Sequence, residues 1–189
     1  MRLQDSWRVR PRRTVESQNR RPMTGRPVDF ERWCTEVALD AGPELKGWLR
    51  ELFEREGPVS KEAAGSAYLL AQIDLAERCV SVVLRDLHRT SGKRPDVAVD
   101  DLEERVRITV DGGYQTPSMM AAPWDQTDAL VEVADYLQGE VMGNEGPAWP
   151  VCPTHDLGLH PLVVADRAVW WCEPTSHEVA EIGTLGRTS

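Results

Sequence analysis

The sequence predicts an α+β chain: about four main helices in an N-terminal region, then a small C-terminal β segment. Three observations carry that expectation. Apolar residues recur at i, i+3, i+4 and i+7 over most of residues 28–145. From residue 149 onward they form short runs separated by turn residues, as strands do. Between the two regions lies GNEGPAWP, a Gly- and Pro-rich break. The expected organisation is an Arg-rich, aperiodic and disordered tail at 1–27, a mainly helical domain at 28–145 and a β domain at 149–185.

Phe30, Trp33, Cys34, Val37 and Ala38 mark one helical face. GPELKGWLRELFEREGP repeats the pattern with Leu45, Trp48, Leu49, Leu52 and Phe53. Pro43 suits the first helical position, Gly57 a C-terminal cap and Pro58 a stop, so the two segments read as antiparallel helices joined at Ala41–Pro43. Ser60 can cap a third helix running to about residue 90. In it Leu69, Ile73, Ala76, Val80, Val83 and Leu87 alternate spacings of four and three, a heptad-like seam that could also join two copies of the chain. The run CVSVVL inside this helix is compatible with a strand as well. Cys34 and Cys79 lie on or beside the apolar stripes and read as small core residues.

Residues 97–116 leave two readings open. DDLEERV suits a short helix, whereas Val106, Ile108 and Val110 alternate with polar residues as in a strand, and DGG marks a turn. YQTPSMMAAPW is an irregular loop in which Met119, Met120 and Trp124 either contact a partner or cover the core. The fourth helix follows: Asp125 caps it, Asp128 complements its positive end, and Ala129, Leu130, Val133, Ala134, Leu137 and Val141 form its stripe. Glu132, Asp135 and Glu140 are expected on its solvated face.

Charge is unevenly distributed. Residues 1–27 hold eight arginines against Asp5 and Glu16, a net +6, so with a chain total of −9 the remaining 162 residues carry −15. No Lys or Arg occurs between Arg107 and Arg167, an interval with nine acids. Such a surface repels phosphate backbones, which makes nucleic acid an unsuitable partner except through residues 1–27. No apolar run is long enough to span a bilayer and no apolar leader opens the chain, so no membrane association and a cytoplasmic setting with reduced cysteines are expected.

The chemistry-bearing segment is WPVCPTHDLGLHPLVVADRAVWWCEPTSH, residues 149–177. It pairs Cys152 with His155 and Cys172 with His177, in the spacing C-x2-H-x16-C-x4-H. Each pair can chelate from a tight turn, and zinc favours four tetrahedral sulfur or imidazole ligands. LVVADRAVWW between the pairs reads as a hairpin turning at Ala165–Arg167, and EVAEIGTL supplies a third strand. Without a metal, the same segment would be an aromatic hairpin packed on Trp149, Trp170 and Trp171.

Over 149–185 the chain resembles the zinc-ribbon family, in which two such turns hold one structural zinc, usually through four cysteines. The resemblance implies Zn2+ bound by Cys152, His155, Cys172 and His177, with His160 as an alternate to His155. Both second ligands depart from the family's cysteine, and the second spacing is longer than its usual two residues. The spacing also differs from that of a DNA-reading finger, so no recognition helix is implied.

No P-loop, dinucleotide fingerprint or Ser-His-Asp arrangement is present. The expected role is a non-enzymatic interaction or adaptor module with an acidic surface, a structural zinc and a basic protein partner. A nucleic-acid-associated regulator acting through the Arg-rich tail is the first alternative. A small metal-dependent hydrolase, with Glu173 or Glu178 as base, is the second and would need an open coordination position.

Overall fold

A computed structural model describes residues 29–38, 41–112, 121–143 and 147–186. Helices precede a C-terminal set of antiparallel strands, an α+β arrangement. The described residues form two compact units, divided between Lys61 and Glu62. The Arg-rich tail, Met119 and Met120 lie outside the described residues.

In the smaller unit, α1 (Phe30–Val37) begins where the Asp29 side chain accepts a hydrogen bond from the Arg32 amide. Helix α2 (Pro43–Glu56) starts on its proline and stops at Gly57, whose φ of 77° suits a residue without a Cβ. The two helices meet through Phe30, Trp33 and Phe53, whose ring centroids lie 5.2–6.1 Å apart. Trp33 donates its indole N–H to the Val59 carbonyl, so its burial leaves no polar group unpaired. Cys34 is buried beside it, as its place on the stripe predicts.

The larger unit is built on α3 (Lys61–Ser91). Ile73, Ala76, Val80, Val83 and Leu87 of the seam are all buried, but so are Leu75, Cys79, Leu84 and Asp86 on a second flank. A helix covered on two sides is the centre of its unit, and the strand reading of CVSVVL gives way to it. The seam is occupied by neighbours within the same chain: it shares one core with β2, α4 and the C-terminal sheet.

Between α3 and α4 (Gln126–Met142) lies a hairpin of β1 (Val97–Leu102) and β2 (Arg105–Val110). Strands therefore also occur between the helices, and the helical reading of DDLEERV is corrected. The alternation of Val106, Ile108 and Val110, all buried, decides the outcome. Asp100 and Arg107, paired across the ladder, add a two-pronged ion pair with both contacts at 2.7 Å. The turn was hidden because Glu103 and Glu104 occupy it at φ of 51° and 62°, positions that favour Asn and Gly. Glu103→Asn with Glu104→Gly is accordingly expected to stabilise the protein by about 1 kcal/mol, a rise in thermal midpoint of roughly 2–4 °C. Calorimetry showing no rise would mean the turn is not the strained element.

The C-terminal sheet has the order β3-β4-β5, formed by β3 (His160–Val164), β4 (Arg167–Cys172) and β5 (His177–Glu181), all antiparallel. Ala165 and Asp166 make the β3–β4 turn with φ of 48° and 60°. Helix α4 lies against β3 and β4. Its Gln138, a buried polar residue, donates to the carbonyls of Trp149 and Leu159. The segment read as a separate β domain thus shares the hydrophobic core of α3 and α4.

Candidate metal centre

Two turns and one strand register bring the site together. In the first turn the Cys152 amide donates to the Leu157 carbonyl at 2.8 Å and the Asp156 amide to the Cys152 carbonyl at 2.9 Å. Asp156, at φ 57°, lets the chain reverse, and Val151 then bridges to Gly158. In the second turn Cys172 ends β4, Glu173–Thr175 form one turn of 3-10 helix, and Ser176 adopts a left-handed conformation. His177 then opens β5 directly opposite Cys172 in the ladder. Opposed residues of an antiparallel pair project from the same face, which places this Cys and His side by side.

The ligating atoms of Cys152, His155, Cys172 and His177 all lie within 4.8 Å of one another. His155 Nδ1 is 3.4 Å from Cys152 Sγ and 3.7 Å from Cys172 Sγ, and His177 Nε2 is 3.8 Å from Cys152 Sγ. A tetrahedral zinc with ordinary Zn–S and Zn–N bonds requires sulfur and nitrogen to be about 3.6 Å apart. These three sulfur–nitrogen separations fall near that value, and the four donors are close enough together that they could hold one ion. His160 is not part of it. It pairs with Trp171, one residue before Cys172, and alternation turns it to the other face of the sheet, where its Nε2 is 3.8 Å from Glu173.

The two cysteines are buried while the histidines reach toward solvent. Burial pushes the Cys152 thiol up, but the backbone amides of Thr154 and His155 outweigh it, helped by the Cys172 and Thr154 side chains. The net result lies below the ordinary thiol range, which favours the thiolate that metals bind. Cys79 is the contrast: burial in the apolar core pushes its thiol up to about 11, and it has no part in the cluster.

No family model, curated protein or solved structure matches the chain. The centre has to be understood from its own supports. Trp170, fully buried two residues before Cys172, packs edge-on against Trp149 at 5.5 Å between centroids. Its indole N–H donates to Asp86 on α3 at 2.8 Å, and the same carboxylate oxygen accepts from the Gly183 amide at 2.6 Å. Trp149 donates to Thr90 of α3 at 2.8 Å. These bonds tie both ends of the segment that carries the Cys and His cluster to one helix. Asp86 carried no signal in the sequence, since an acid within a helix reads as solvated surface.

The remaining candidates behave differently. Trp124 is partly exposed and stacks edge-on against Tyr68. Glu132 accepts a hydrogen bond from the Ala121 amide, so it holds the loop before α4 rather than simply facing water. Glu178 is gripped by Arg167 through two contacts of 2.7 Å, which hold its carboxyl below the usual carboxylate range. An ionised carboxylate already committed to a guanidinium is a poor general base.

Proposed function

We propose that Cys152, His155, Cys172 and His177 hold one Zn2+ as a structural ion, that residues 149–185 form a zinc ribbon, and that the protein is a non-enzymatic interaction or adaptor module. The observation that carries this reading is the cluster of four donors within 4.8 Å of one another, three of whose sulfur–nitrogen separations are 3.4–3.8 Å. Four protein ligands fill a tetrahedral site and leave no position for a substrate or an activated water. Such a closed site, together with the engagement of Glu178 by Arg167, favours this reading over a hydrolase with Glu178 as base.

The charge of the body supports a basic protein partner. At the start of α4 the Asp128 carboxyl is raised above its usual range, chiefly by the neighbouring Asp125 and, to a smaller degree, by burial and by Glu132, so negative charge is concentrated there. Among the described helices none is long and apolar enough to cross a membrane.

Elemental analysis of the purified full-length chain is expected to find one zinc per chain, retained through gel filtration. A chain that takes up no metal from excess Zn2+ would overturn the site. Partner association should weaken as salt rises and should survive deletion of residues 1–22. Binding to duplex DNA or RNA that vanishes on that deletion would instead assign the function to the Arg-rich tail.

A further inference from the structure

We propose that Thr175 is a positioning residue of the metal centre, fixing which nitrogen of His177 faces the ion and tempering the charge on the Cys172 thiolate. This inference rests on the metal-site reading above. Its hydroxyl lies 2.9 Å from His177 Nδ1 and 3.1 Å from Cys172 Sγ, to which it donates. It is also 3.3 Å from His155 Nδ1.

One hydroxyl proton cannot serve all three neighbours, and the chemistry selects a single consistent arrangement. With the Thr175 proton directed to Cys172 Sγ, the oxygen is left as an acceptor, and His177 must supply its proton from Nδ1. Nε2 of His177 is then the unprotonated nitrogen, and it is Nε2 that lies 3.8 Å from Cys152 Sγ, at ligand spacing. His155 Nδ1 is itself within ligand distance of both sulfurs, so its lone pair belongs to the ion and its approach to Thr175 is proximity alone. Outer partners of this kind set the tautomer and orientation of ligating histidines.

The arrangement also accounts for the long second spacing. A two-residue separation would leave no room for the 3-10 turn Glu173–Thr175, which is what carries the hydroxyl back over the site. The longer C-x4-H turn, with His in place of the family's cysteine, brings its own tautomer-setting group with it.

The test uses full-length protein loaded with Zn2+ or Co2+. Thr175→Val, which keeps shape and removes the hydroxyl, is expected to weaken Zn2+ affinity ~10–100-fold in chelator competition. Its Co2+ complex should show the sulfur-to-metal charge-transfer band displaced to longer wavelength, because the thiolate loses a hydrogen bond. Thr175→Ser, which keeps the hydroxyl, should restore both. Wild-type affinity and band position in Thr175→Val would overturn the proposal and leave the metal site standing. Equal losses in the Val and Ser variants would also overturn it, since the hydroxyl would not be the cause. Failure of the wild-type chain to bind either ion would remove the site and this inference together.

Discussion

Cys172→Ser is expected to abolish stoichiometric zinc binding and to lower the thermal midpoint of the larger unit by roughly 10 °C. Structural zinc contributes on the order of 10 kcal/mol to small domains, because the site does not exist in the unfolded chain. A loss of about 4 kcal/mol would already shift the midpoint by roughly 8–16 °C in a chain of this size. The effect should not stay local. Cys172 follows Trp170 in β4, and Trp149, Cys152, Leu159, Trp170, Cys172, Ile182 and Leu185 belong to the same buried cluster as α3 and α4. Loosening the turns exposes that cluster. Calorimetry should show the same drop when a strong chelator strips the wild-type protein. His160→Gln should change neither zinc content nor midpoint, because its ring is on the opposite face of the sheet. An unchanged midpoint in Cys172→Ser would mean that the aromatic core, not a metal, holds this segment.

What could be seen in the sequence follows from the range of the forces involved. The helices rest on local periodicity and on punctuation such as Asp125, Pro43 and Gly57, all of which the structure uses as caps or first-turn residues. The paired Cys and His residues were legible because chelation constrains short spacings. The β1–β2 turn was not, because Glu103 and Glu104 adopt positive φ without the residues that advertise it. The exclusion of His160 depends on strand register, which local pattern does not fix. Asp86 and Gln138 were invisible for a related reason. Each is polar in an amphipathic helix, and only their partners 84 residues away in Trp170, or 11 and 21 away in Trp149 and Leu159, make them buried anchors. Those long-range bonds are what join the C-terminal segment to α3 and α4.

Asp86→Ala is expected to be among the most damaging substitutions outside the metal site, at about 3–5 kcal/mol. The carboxylate is fully buried, and removing it leaves the Trp170 indole N–H and the Gly183 amide without their acceptor. Neither can turn to water: Trp170 is completely covered, and Gly183 sits so close to Val82 that a Cβ would lie 2.5 Å from its methyl carbon. Chemical denaturation would measure the loss. Asp86→Asn should cost less, since its carbonyl can still accept both bonds while its amide takes the place of Oδ1, which has no partner.

The pH dependence separates the two roles of the carboxylate. Burial raises the Asp86 carboxyl above the ordinary aspartate range, against the opposing pull of Trp170, the Gly183 and Leu185 amides and the nearby Arg89. Between the ordinary value and the raised one, the folded state keeps a proton that the unfolded chain has released. Asp86 therefore makes stability fall as pH rises through that window and has no further effect above it. Asn cannot titrate, so its deficit relative to wild type should be greatest at the acid end and shrink as pH increases. Because other carboxylates, Glu178 among them, have the opposite slope, the wild-type minus Asn difference is the quantity to follow. A constant difference would show that Asp86 ionises equally in both states, and that hydrogen bonding alone, not the cost of burying its charge, governs the joint between α3 and the C-terminal segment.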